Sequence, residues 1–327
     1  MRQLSIQRES FPIRGVFRIS RGARTEAHVV TVTLTENGAR GWGECVPYAR
    51  YDETLDSVIA EIEAARAALE SGIGREELLG VMKNGAARNA VDCALWDLEA
   101  KLSGTPVWQL AGLASAPKPL VTAYTISLDA PEAMGKAAAE NADRPLLKLK
   151  LTGEGDLERV EAIHHNAPKA RLIVDANEGW SLEQYLRYAP ALVDLGVEMI
   201  EQPLKAADDA PLAGAEHPLP VCADESCHDL RSLEHMVGKY EMINIKLDKT
   251  GGLTEALRLK AAAEKAGLGV MLGCMLGTSL SMAPGVIAGQ GAKVVDLDAP
   301  LLLAHDREGG LTYEGSIVHP PKPSLWG

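Results

Sequence analysis

The chain lacks the features that mark a zinc-ribbon, disulfide-rich or membrane-spanning protein. Its five cysteines form no Cys-x-x-Cys pair and have no zinc-site spacing: Cys45, Cys93, Cys222, Cys227 and Cys274. A scattered, odd set of this kind indicates reduced thiols in a cytoplasm. No segment approaches the roughly 18 consecutive apolar residues of a spanning helix, and the first residues contain no apolar signal core. We therefore expect a soluble, cytoplasmic protein.

Positive charge is also in short supply. The 327 residues include 33 Lys and Arg against 45 Asp and Glu, a net charge of −12. Nucleic acid and anionic membranes both favour basic surfaces, so neither is expected as a main partner. With 46% apolar and 24% charged residues, the composition is that of an ordinary globular protein. The length allows one large domain or two, and whether the chain forms a homo-oligomer stays open.

The first third of the chain predicts an α+β unit. An alternating run from Val30 to Leu34 is followed by Glu36-Asn37-Gly38 and a second extended run. Asn-Gly between two such runs is a strong signal for a β-hairpin. A helix is predicted further on, ending at Gly104 and carrying one apolar stripe, Val91, Leu95, Leu98 and Leu102.

From about residue 120, short apolar runs alternate with helix-like segments. The eight runs are VTAYTISL, LLKLKL, RLIVDANE, MIEQPL, VCADES, MINIKLDK, GVMLGCM and KVVDLD. Strands that alternate with helices predict a parallel sheet of the α/β class. The count of eight favours a closed (β/α)8-type barrel, in which the helices cover the outside.

One polar residue stands near the end of each run, and these positions recur every 22 to 28 residues. They are Thr125, Lys150, Asp175, Glu201, Asp224, Lys246, Cys274 and Asp298. Active sites of such barrels lie at the carboxyl ends of the strands. We therefore expect these side chains around one mouth of the barrel.

Three of them, Asp175, Glu201 and Asp224, are carboxylates on successive strands. One such carboxylate alone is more often a strand-end cap or part of a surface ion pair. Three together in a semi-enclosed mouth would repel one another and raise each other's pKa, which a divalent cation would relieve. Oxygen ligands without His or Cys suit Mg²⁺ or Mn²⁺.

Lysines flank the three carboxylates. Lys150 lies one strand before them and Lys246 one strand after, so in a ring of eight the two lysines face each other across the mouth. Two such amines can remove and deliver protons on opposite faces of one carbon. A base lysine must be partly neutral, which burial and a nearby cation favour. Lys148 is the expected cation beside Lys150, whereas Lys249 is expected to be solvated.

Two further features lie late in the chain. The stretches 250–256 and 272–279 contain glycines and predict turns where the backbone approaches a ligand. Asp296 and Asp298 form a second acidic pair, expected away from the three metal-site carboxylates. This pair is either an ordinary loop turn or a site for an ammonium group of the substrate.

The order Lys-x-Lys, Asp, Glu, Asp-Glu-Ser, Lys, behind an α+β unit, resembles the muconate-lactonising subgroup of the enolase superfamily over essentially the whole chain. The segments VDANEGW, EQPL, CADES, NIKLDKTGGLTEAL, MLGCML and the final Asp-x-Asp resemble those of dipeptide epimerases. The resemblance implies a capping domain over residues 1–113, with a tail of about 305–327 packed on it. It places the barrel at residues 114–304.

The same resemblance implies roles for individual residues. The implied set is Asp175, Glu201 and Asp224 for Mg²⁺, Lys150 and Lys246 as the acid/base pair with Lys148 beside them, and Arg24, Thr125, Cys274, Asp296 and Asp298 for the substrate. Asp296 and Asp298 are expected to hold an α-ammonium. Arg24 is expected to meet a glutamate side chain, and Arg21 is the alternative.

The reaction expected from this set is epimerisation of a murein-derived dipeptide, alanine followed by glutamate, at its C-terminal residue. One lysine takes the α-proton, the cation and Lys148 stabilise an enediolate, and the opposite lysine reprotonates it. The alternatives are an N-acyl amino acid racemase, a succinylbenzoate synthase or cycloisomerase, and a Schiff-base aldolase. The lyases have no use for Asp296 and Asp298, and the aldolase needs no metal site. A non-catalytic binding protein gives no reason to gather these charges.

Overall fold

The computed structural model describes all 327 residues. The chain begins with a three-stranded antiparallel sheet, β1 (Gln3–Ile19), β2 (Gly22–Glu36) and β3 (Ala39–Cys45). Asn37 and Gly38 join β2 to β3 and both have positive φ, 50° and 80°. A two-residue turn of this kind matches the twist of the strands it connects. The predicted hairpin is confirmed.

Five helices follow this sheet along the chain. They are α1 (Leu55–Ala64), α2 (Arg66–Glu70), α3 (Arg75–Val81), α4 (Ala86–Ser103) and α5 (Val107–Leu110). The helix α4 ends at Gly104, which adopts the left-handed conformation expected of a glycine stop. Val91, Leu95 and Leu98 are buried against the sheet, whereas Leu102 in the last turn is exposed. We use the name cap for residues 1–113.

Eight parallel strands follow, and those that are consecutive in the chain are hydrogen-bonded to each other. They are β5 (Tyr124–Ile126), β6 (Leu146–Lys150), β7 (Arg171–Asp175), β8 (Val197–Glu201), β9 (Val221–Ala223), β10 (Met242–Ile245), β11 (Gly269–Leu272) and β12 (Val294–Val295). The first and last strands meet where the backbone N–H of Ala123 donates to the carbonyl of Val295 at 2.8 Å. The predicted (β/α)8-type barrel is confirmed.

The outer helices are less regular than the strands. They are α6 (Pro131–Glu140), α7 (Asp156–Asn166), α8 (Leu182–Asp194), α9 (Leu247–Thr250), α10 (Leu253–Lys265), α11 (Ser279–Ala288) and α12 (Ala299–Leu302). After β8 and β9 the chain forms only short 3-10 turns. The barrel therefore has eight strands with fewer than eight full outer helices.

The interior of the barrel changes character over two residues. Each strand region contributes one side chain to an apolar cluster, which we call the floor: Ala123, Leu146, Ile173, Met199, Cys222, Met242, Met271 and Val294. Alternate strand residues share a face, so the residues two positions further on also point inward. Seven of these are polar and form what we call the polar layer: Thr125, Lys148, Asp175, Glu201, Asp224, Asn244 and Asp296.

The C-terminal residues contact both parts of the chain. The strands β13 (Tyr313–Glu314) and β14 (Ile317–Val318) pair with β4 (Leu120–Val121). Beyond them, the indole N–H of Trp326 donates to the carbonyl of Cys93 at 3.0 Å. The backbone N–H of Gly327 donates to Asp97 at 2.8 Å. The chain end therefore packs on α4.

Two smaller observations bear on the sequence-based expectations. All five cysteines are unpaired thiols, and four of them are buried. None of the helices combines the length and the apolar character that crossing a membrane requires.

Candidate active site

The three predicted metal-site carboxylates lie together at the carboxyl ends of their strands. Asp175 and Glu201 are the last residues of β7 and β8, and Asp224 follows β9 directly. All three are at most 1% exposed. Asp175 and Glu201 approach the same ammonium group, Lys148 Nζ, at 3.3 Å and 2.7 Å.

Neighbouring lysines decide the charge state of these carboxylates. Burial raises the pKa of Asp175, but Lys150 and Lys148 outweigh it and hold the pKa below its usual value. The pKa of Asp224 is likewise lowered, because Lys246 and Lys249 overcome burial. Only Glu201 has a raised pKa, from burial and from Asp175. The expectation that all three pKa values rise by mutual repulsion is therefore wrong for two of them.

The two proposed acid/base lysines face one cavity of about 400 Å³. Lys150 ends β6, and Lys246 follows β10, four strands away in the ring. Lys150 Nζ lies 2.6 Å from Asp175 Oδ2, and Lys246 Nζ lies 2.6 Å from Asp224 Oδ2. Each lysine therefore bonds to the nearest proposed metal ligand.

The pKa of Lys246 differs from expectation. Burial lowers it, but Asp224 and Glu201 more than compensate, so the pKa is raised above the usual lysine value. In this arrangement of charges Lys246 is therefore an ammonium group. The physical reason is the carboxylate 2.6 Å away, which stabilises the ammonium form.

Lys148 shares a carboxylate oxygen with Lys150, since both ammonium groups contact Asp175 Oδ2, Lys148 at 3.3 Å and Lys150 at 2.6 Å. The ammonium group of Lys148 donates to Asp296 Oδ2 at 2.8 Å and also contacts Glu201 and Asp175. Asp296, followed by those two carboxylates, raises the pKa of Lys148 well above normal despite complete burial. The expectation that Asp296 lies away from the metal-site carboxylates is therefore wrong, because Lys148 links Asp296 to two of them.

Lys249 contradicts its sequence-based interpretation as a solvated residue. It is 1% exposed and donates three hydrogen bonds, to Asp224 Oδ1 at 2.7 Å, the Asp224 carbonyl at 2.5 Å and the Asn244 carbonyl at 2.9 Å. These bonds use all three donors of the ammonium group. The short helix α9 turns Lys249 back under the mouth instead of out to water.

The buried lysines of the mouth and the carboxylates that they contact are equal in number. Four ammonium groups (Lys148, Lys150, Lys246, Lys249) are in contact with four carboxylates (Asp175, Glu201, Asp224, Asp296). A divalent cation bound here leaves an excess of positive charge. Such an excess favours a neutral lysine and an anionic ligand.

The donor set fits a hard cation. Glu201 Oε2 is buried and has no hydrogen-bond partner, since Lys148 Nζ lies 2.7 Å away but outside the hydrogen-bonding direction. All three side chains offer carboxylate oxygens alone, which Mg²⁺ and Mn²⁺ prefer. In the present arrangement lysines contact these oxygens, and no group of three carboxylates lies at metal-binding distances. Binding therefore exchanges ammonium contacts for cation contacts.

A side cavity of about 40 Å³ adjoins the main one. Its polar wall contains Thr125, Cys274, Asp296 and Asp298, and Cys274 also lines the main cavity. Asp298 Oδ2 accepts from the backbone N–H of Thr125 at 2.6 Å, and burial together with Asp296 raises the pKa of Asp298 to about 7. Asp296 Oδ1 is buried without a partner. The pair can accept an ammonium group.

Two cap arginines predicted as alternatives have different surroundings. Arg21 donates to Glu225 at 2.7 Å, to Tyr48 at 2.8 Å and to the Asn177 carbonyl at 2.8 Å. Arg24 lines the main cavity, and its guanidinium carbon lies 5.6 Å from the centre of the Tyr48 ring. Arg24 forms no ion pair. Arg24 is therefore the guanidinium free to bind a carboxylate.

Some residues of the site were missed in the sequence. Asn244 donates to Glu201 Oε1 at 2.7 Å, and it could have been found because it precedes Lys246 by two residues on one strand face. Glu178 and Arg50, which pair at 2.8 Å, lie 128 residues apart and gave no local signal.

The glycine-rich turns serve two purposes. Gly251 and Gly252 allow the cap to approach, since a Cβ at either would collide with Arg88 or Asp92 of α4. Their predicted approach to a ligand is therefore wrong. The other turn does line the cavity, through Cys274, Met275 and Leu276.

Family models match both halves of this architecture. Residues 1–112 match the mandelate racemase/muconate lactonizing enzyme N-terminal domain, and residues 133–322 match the enolase C-terminal domain-like model. The chain belongs to the mandelate racemase/muconate lactonizing enzyme family. The resemblance stated from the sequence is confirmed.

Two curated relatives in this family are similar over nearly their whole length. L-Ala-D/L-Glu epimerase of Escherichia coli (strain K12) is 46% identical over 98% of this chain and 100% of its own. N-acetyl-D-glutamate racemase of Pseudoalteromonas sp. is 42% identical over 91% of this chain and 95% of its own. Both act on molecules that contain glutamate.

Two solved structures share the fold and hold ligands. An enolase family member from Agrobacterium tumefaciens, with bound sodium and L-Ala-L-Glu, is 54% identical, covers 100% of each chain and has a TM-score of 0.98. The dipeptide epimerase of Enterococcus faecalis V583, complexed with Mg and L-Leu-L-Tyr, is 28% identical, with a TM-score of 0.91 over 98% of this chain and 97% of its own.

Proposed function

We propose that this protein is a Mg²⁺-dependent dipeptide epimerase that inverts the C-terminal residue of L-Ala-D/L-Glu. The observation that carries the proposal is that Lys150 and Lys246 line one cavity from strands four apart. Similarity to an L-Ala-D/L-Glu epimerase over the whole chain supports it. So does a dipeptide bound to a structural relative at 54% identity.

The proton chemistry belongs to the two lysines. One accepts the α-proton at its Nζ, and the other, still an ammonium group, donates a proton from the opposite face. The two lysines exchange roles when the reaction runs in the other direction. Asp175, Glu201 and Asp224 would hold Mg²⁺, which would supply positive charge to the substrate carboxylate. With their oxygens on the cation, these carboxylates would stabilise the lysine ammonium groups less, which favours a neutral base.

The remaining residues hold the dipeptide. Lys148, fixed by Asp296 and Glu201, adds positive charge beside the reacting carbon. Asp296 and Asp298, with Thr125 and Cys274, receive the α-ammonium in the side cavity. Arg24 binds the side-chain carboxylate of the second residue as a bidentate fork.

We further propose the division of the chain into a capping domain over residues 1–113 with the tail of about 305–327, and a barrel over 114–304. The hydrogen bonds of Trp326 and Gly327 to Cys93 and Asp97 of α4 support the packing of the tail on the cap. Arg307 adds to it by pairing with Glu9 and Glu44 at 2.7 Å each. The unpaired cysteines support a reducing compartment, the cytoplasm.

A second candidate is racemisation of an N-acylated glutamate. It is favoured by the relative that racemises N-acetyl-D-glutamate at 42% identity. The two candidate substrates differ in the group that they offer to the side cavity. An acetylated nitrogen carries no charge for Asp296 and Asp298 to bind.

Proton exchange in D₂O separates the two candidates. L-Ala-L-Glu, N-acetyl-L-Ala-L-Glu and N-acetyl-L-Glu are each incubated with enzyme and Mg²⁺, and deuterium at the α-carbon of glutamate is followed by NMR. We expect kcat/KM for the free dipeptide to exceed that of its acetylated form by at least about 30-fold, or about 2 kcal/mol, because acetylation leaves buried carboxylates unmatched. Faster exchange into N-acetyl-L-Glu would move the assignment to the racemase.

A further inference from the structure

Two cap loops cover the mouth of the barrel, and each brings an arginine to it. The tip between β1 and β2 carries Arg21 and Arg24, and the 3-10 turn Ala49–Tyr51 carries Arg50. All three arginines line the main cavity. The cap therefore offers three guanidinium groups to a ligand, yet a single side-chain carboxylate needs only one.

Two of the three are bound to one barrel carboxylate. Arg50 donates two parallel hydrogen bonds to Glu178, from Nε and Nη2, each at 2.8 Å. Arg21 Nη1 lies 3.4 Å from the same carboxylate. The backbone N–H of Ala206 completes the set at 2.9 Å. Glu178 is a fixed anion, since its side chain is only 7% exposed and Arg50 lowers its pKa against the effect of burial.

The backbone around Glu178 is built for these contacts. Asn177 and Glu178 have φ values of 45° and 65°, a left-handed conformation that is uncommon outside glycine and asparagine. It exposes the Asn177 carbonyl to Arg21 Nη1 at 2.8 Å and to Ser20 Oγ at 3.0 Å. Strained residues of this kind cluster at functional sites. Two adjacent barrel residues thus hold both cap loops.

The second terminal nitrogen of Arg21, Nη2, is hydrogen-bonded as well. Its Nη2 donates to Glu225 at 2.7 Å and to the Tyr48 hydroxyl at 2.8 Å. Arg24, three residues along, has neither a hydrogen bond nor an ion pair and only lies beside the Tyr48 ring. The loops are anchored so that one of their three guanidinium groups stays unpaired.

We propose that Glu178 is a positioning residue that anchors both cap loops over the mouth and sets specificity by leaving Arg24 as the one cap cation available to the substrate. The anchor itself stands on contacts within the chain. The effect on specificity rests on the proposed dipeptide substrate, whose second residue carries a carboxylate.

Hydrogen–deuterium exchange of the intact protein tests the anchor directly. Glu178→Asn removes the ion pairs but keeps a residue that tolerates the left-handed backbone, and Arg50→Gln breaks the same contact from the cap side. We expect amides of residues 48–52 to exchange at least about five-fold faster in both variants, and those of residues 19–25 to do so in Glu178→Asn, which also removes the contact with Arg21. The matched control is Glu198→Asn, which breaks the bidentate Arg171–Glu198 pair at the opposite end of the barrel.

Kinetics test the consequence for the substrate. We expect KM for L-Ala-L-Glu to rise about ten-fold in both variants while kcat changes less than about three-fold, because the reacting lysines belong to the barrel. The double variant should be no worse than Glu178→Asn alone, since that substitution already removes the contact with Arg50. If Glu178 had only a structural role, Glu178→Asn would change kcat and KM no differently from the Glu198→Asn control.

Unchanged exchange of both loops in Glu178→Asn and Arg50→Gln overturns the anchor, and so does equal loosening in Glu198→Asn. Faster exchange with an unaltered KM overturns the role in specificity. A wild-type protein that does not epimerise dipeptides refutes the proposed function instead, and the exchange data still decide whether the anchor exists.

Discussion

The floor and the polar layer lie two residues apart on seven of the eight strands, yet they have opposite physical characters. The floor is an apolar cluster with one side chain from each strand region, such as Leu146, Ile173 and Met199. The polar layer above it contains buried charges that are stable only because each has a partner, as in the contacts of Lys148 with Glu201 and Asp296.

This difference separates what holds the barrel together from what makes it reactive. Burying apolar side chains stabilises the folded state, whereas burying ion pairs contributes little because desolvation offsets their attraction. The polar layer is therefore retained for its chemistry. Changes to the layer should therefore abolish activity, and they also lower stability where they leave a buried charge without its partner, whereas changes to the floor should lower stability and leave activity intact.

The largest expected effect comes from removing the cation of the polar layer. Chelation should abolish epimerisation and Mg²⁺ should restore it, because the carboxylates of Asp175, Glu201 and Asp224 otherwise hold the lysines charged. Mg²⁺ should also raise Tm, since a ligand of the folded state stabilises it. Asp224→Asn should lose most of this thermal shift. Full turnover in metal-free protein contradicts the account.

A smaller loss is expected when a cap residue outside both layers is changed. Arg24→Ala should lower kcat/KM for L-Ala-L-Glu about 10- to 100-fold, as expected for loss of a charge-assisted pair, and should leave L-Ala-L-Gln nearly unaffected. Steady-state kinetics with both dipeptides measure it. The matched control is Arg18→Ala, whose partner Asp129 lies 3.7 Å away outside the cavity. An equal loss on both dipeptides would remove Arg24 from side-chain recognition.

A smaller effect is a pH dependence of the side cavity. The pKa of Asp298 is raised to about 7 by burial and by Asp296. Below this pH the carboxyl is protonated and cannot pair with an ammonium group, so kcat/KM for the free dipeptide should fall as the pH drops through 7. The limb should be absent in Asp298→Asn and with N-acetyl-L-Ala-L-Glu. Identical pH profiles for free and acetylated substrates would contradict this role.

The smallest effect on activity is expected in the floor. Ile173→Val removes one buried methylene and should reduce the free energy of unfolding by about 1 kcal/mol, with kcat and KM unchanged. Denaturant unfolding and steady-state kinetics measure the two quantities on one sample. A marked fall in kcat would show that the floor and the polar layer are not separable.

The sequence predicts those parts of the site that follow from the repeat of βα units. Lys150, Asp175 and Glu201 end successive strands, so their spacing alone brings them together. The surroundings of a side chain are less accessible to such reasoning. Lys249 looked solvated because its own neighbourhood is a turn, and its burial depends on where the carbonyls of Asp224 and Asn244 lie.

Contacts between the cap and the barrel also cannot be predicted from the repeat of βα units. The anchoring pair of Arg50 and Glu178 joins positions 128 residues apart, and no periodicity relates a cap loop to a barrel loop. The raised pKa of Lys246 was also unpredictable, because it depends on the 2.6 Å distance to Asp224 rather than on the type of residue. Residue spacing in the sequence identifies candidate site residues, whereas the distances between their charged atoms in the folded protein decide their charge states.

Stereospecific proton exchange tests whether Lys150 and Lys246 act on opposite faces of one carbon. Lys150→Ala and Lys246→Ala are each incubated in D₂O with L-Ala-L-Glu and, separately, with L-Ala-D-Glu, and NMR follows deuterium at the α-carbon of glutamate. We expect both variants to lose epimerisation by about 10³-fold or more. Each should still exchange the proton of one epimer only, and the two variants should choose opposite epimers. Interconversion of both epimers by either variant, or exchange of the same epimer by both, would contradict the two-base arrangement.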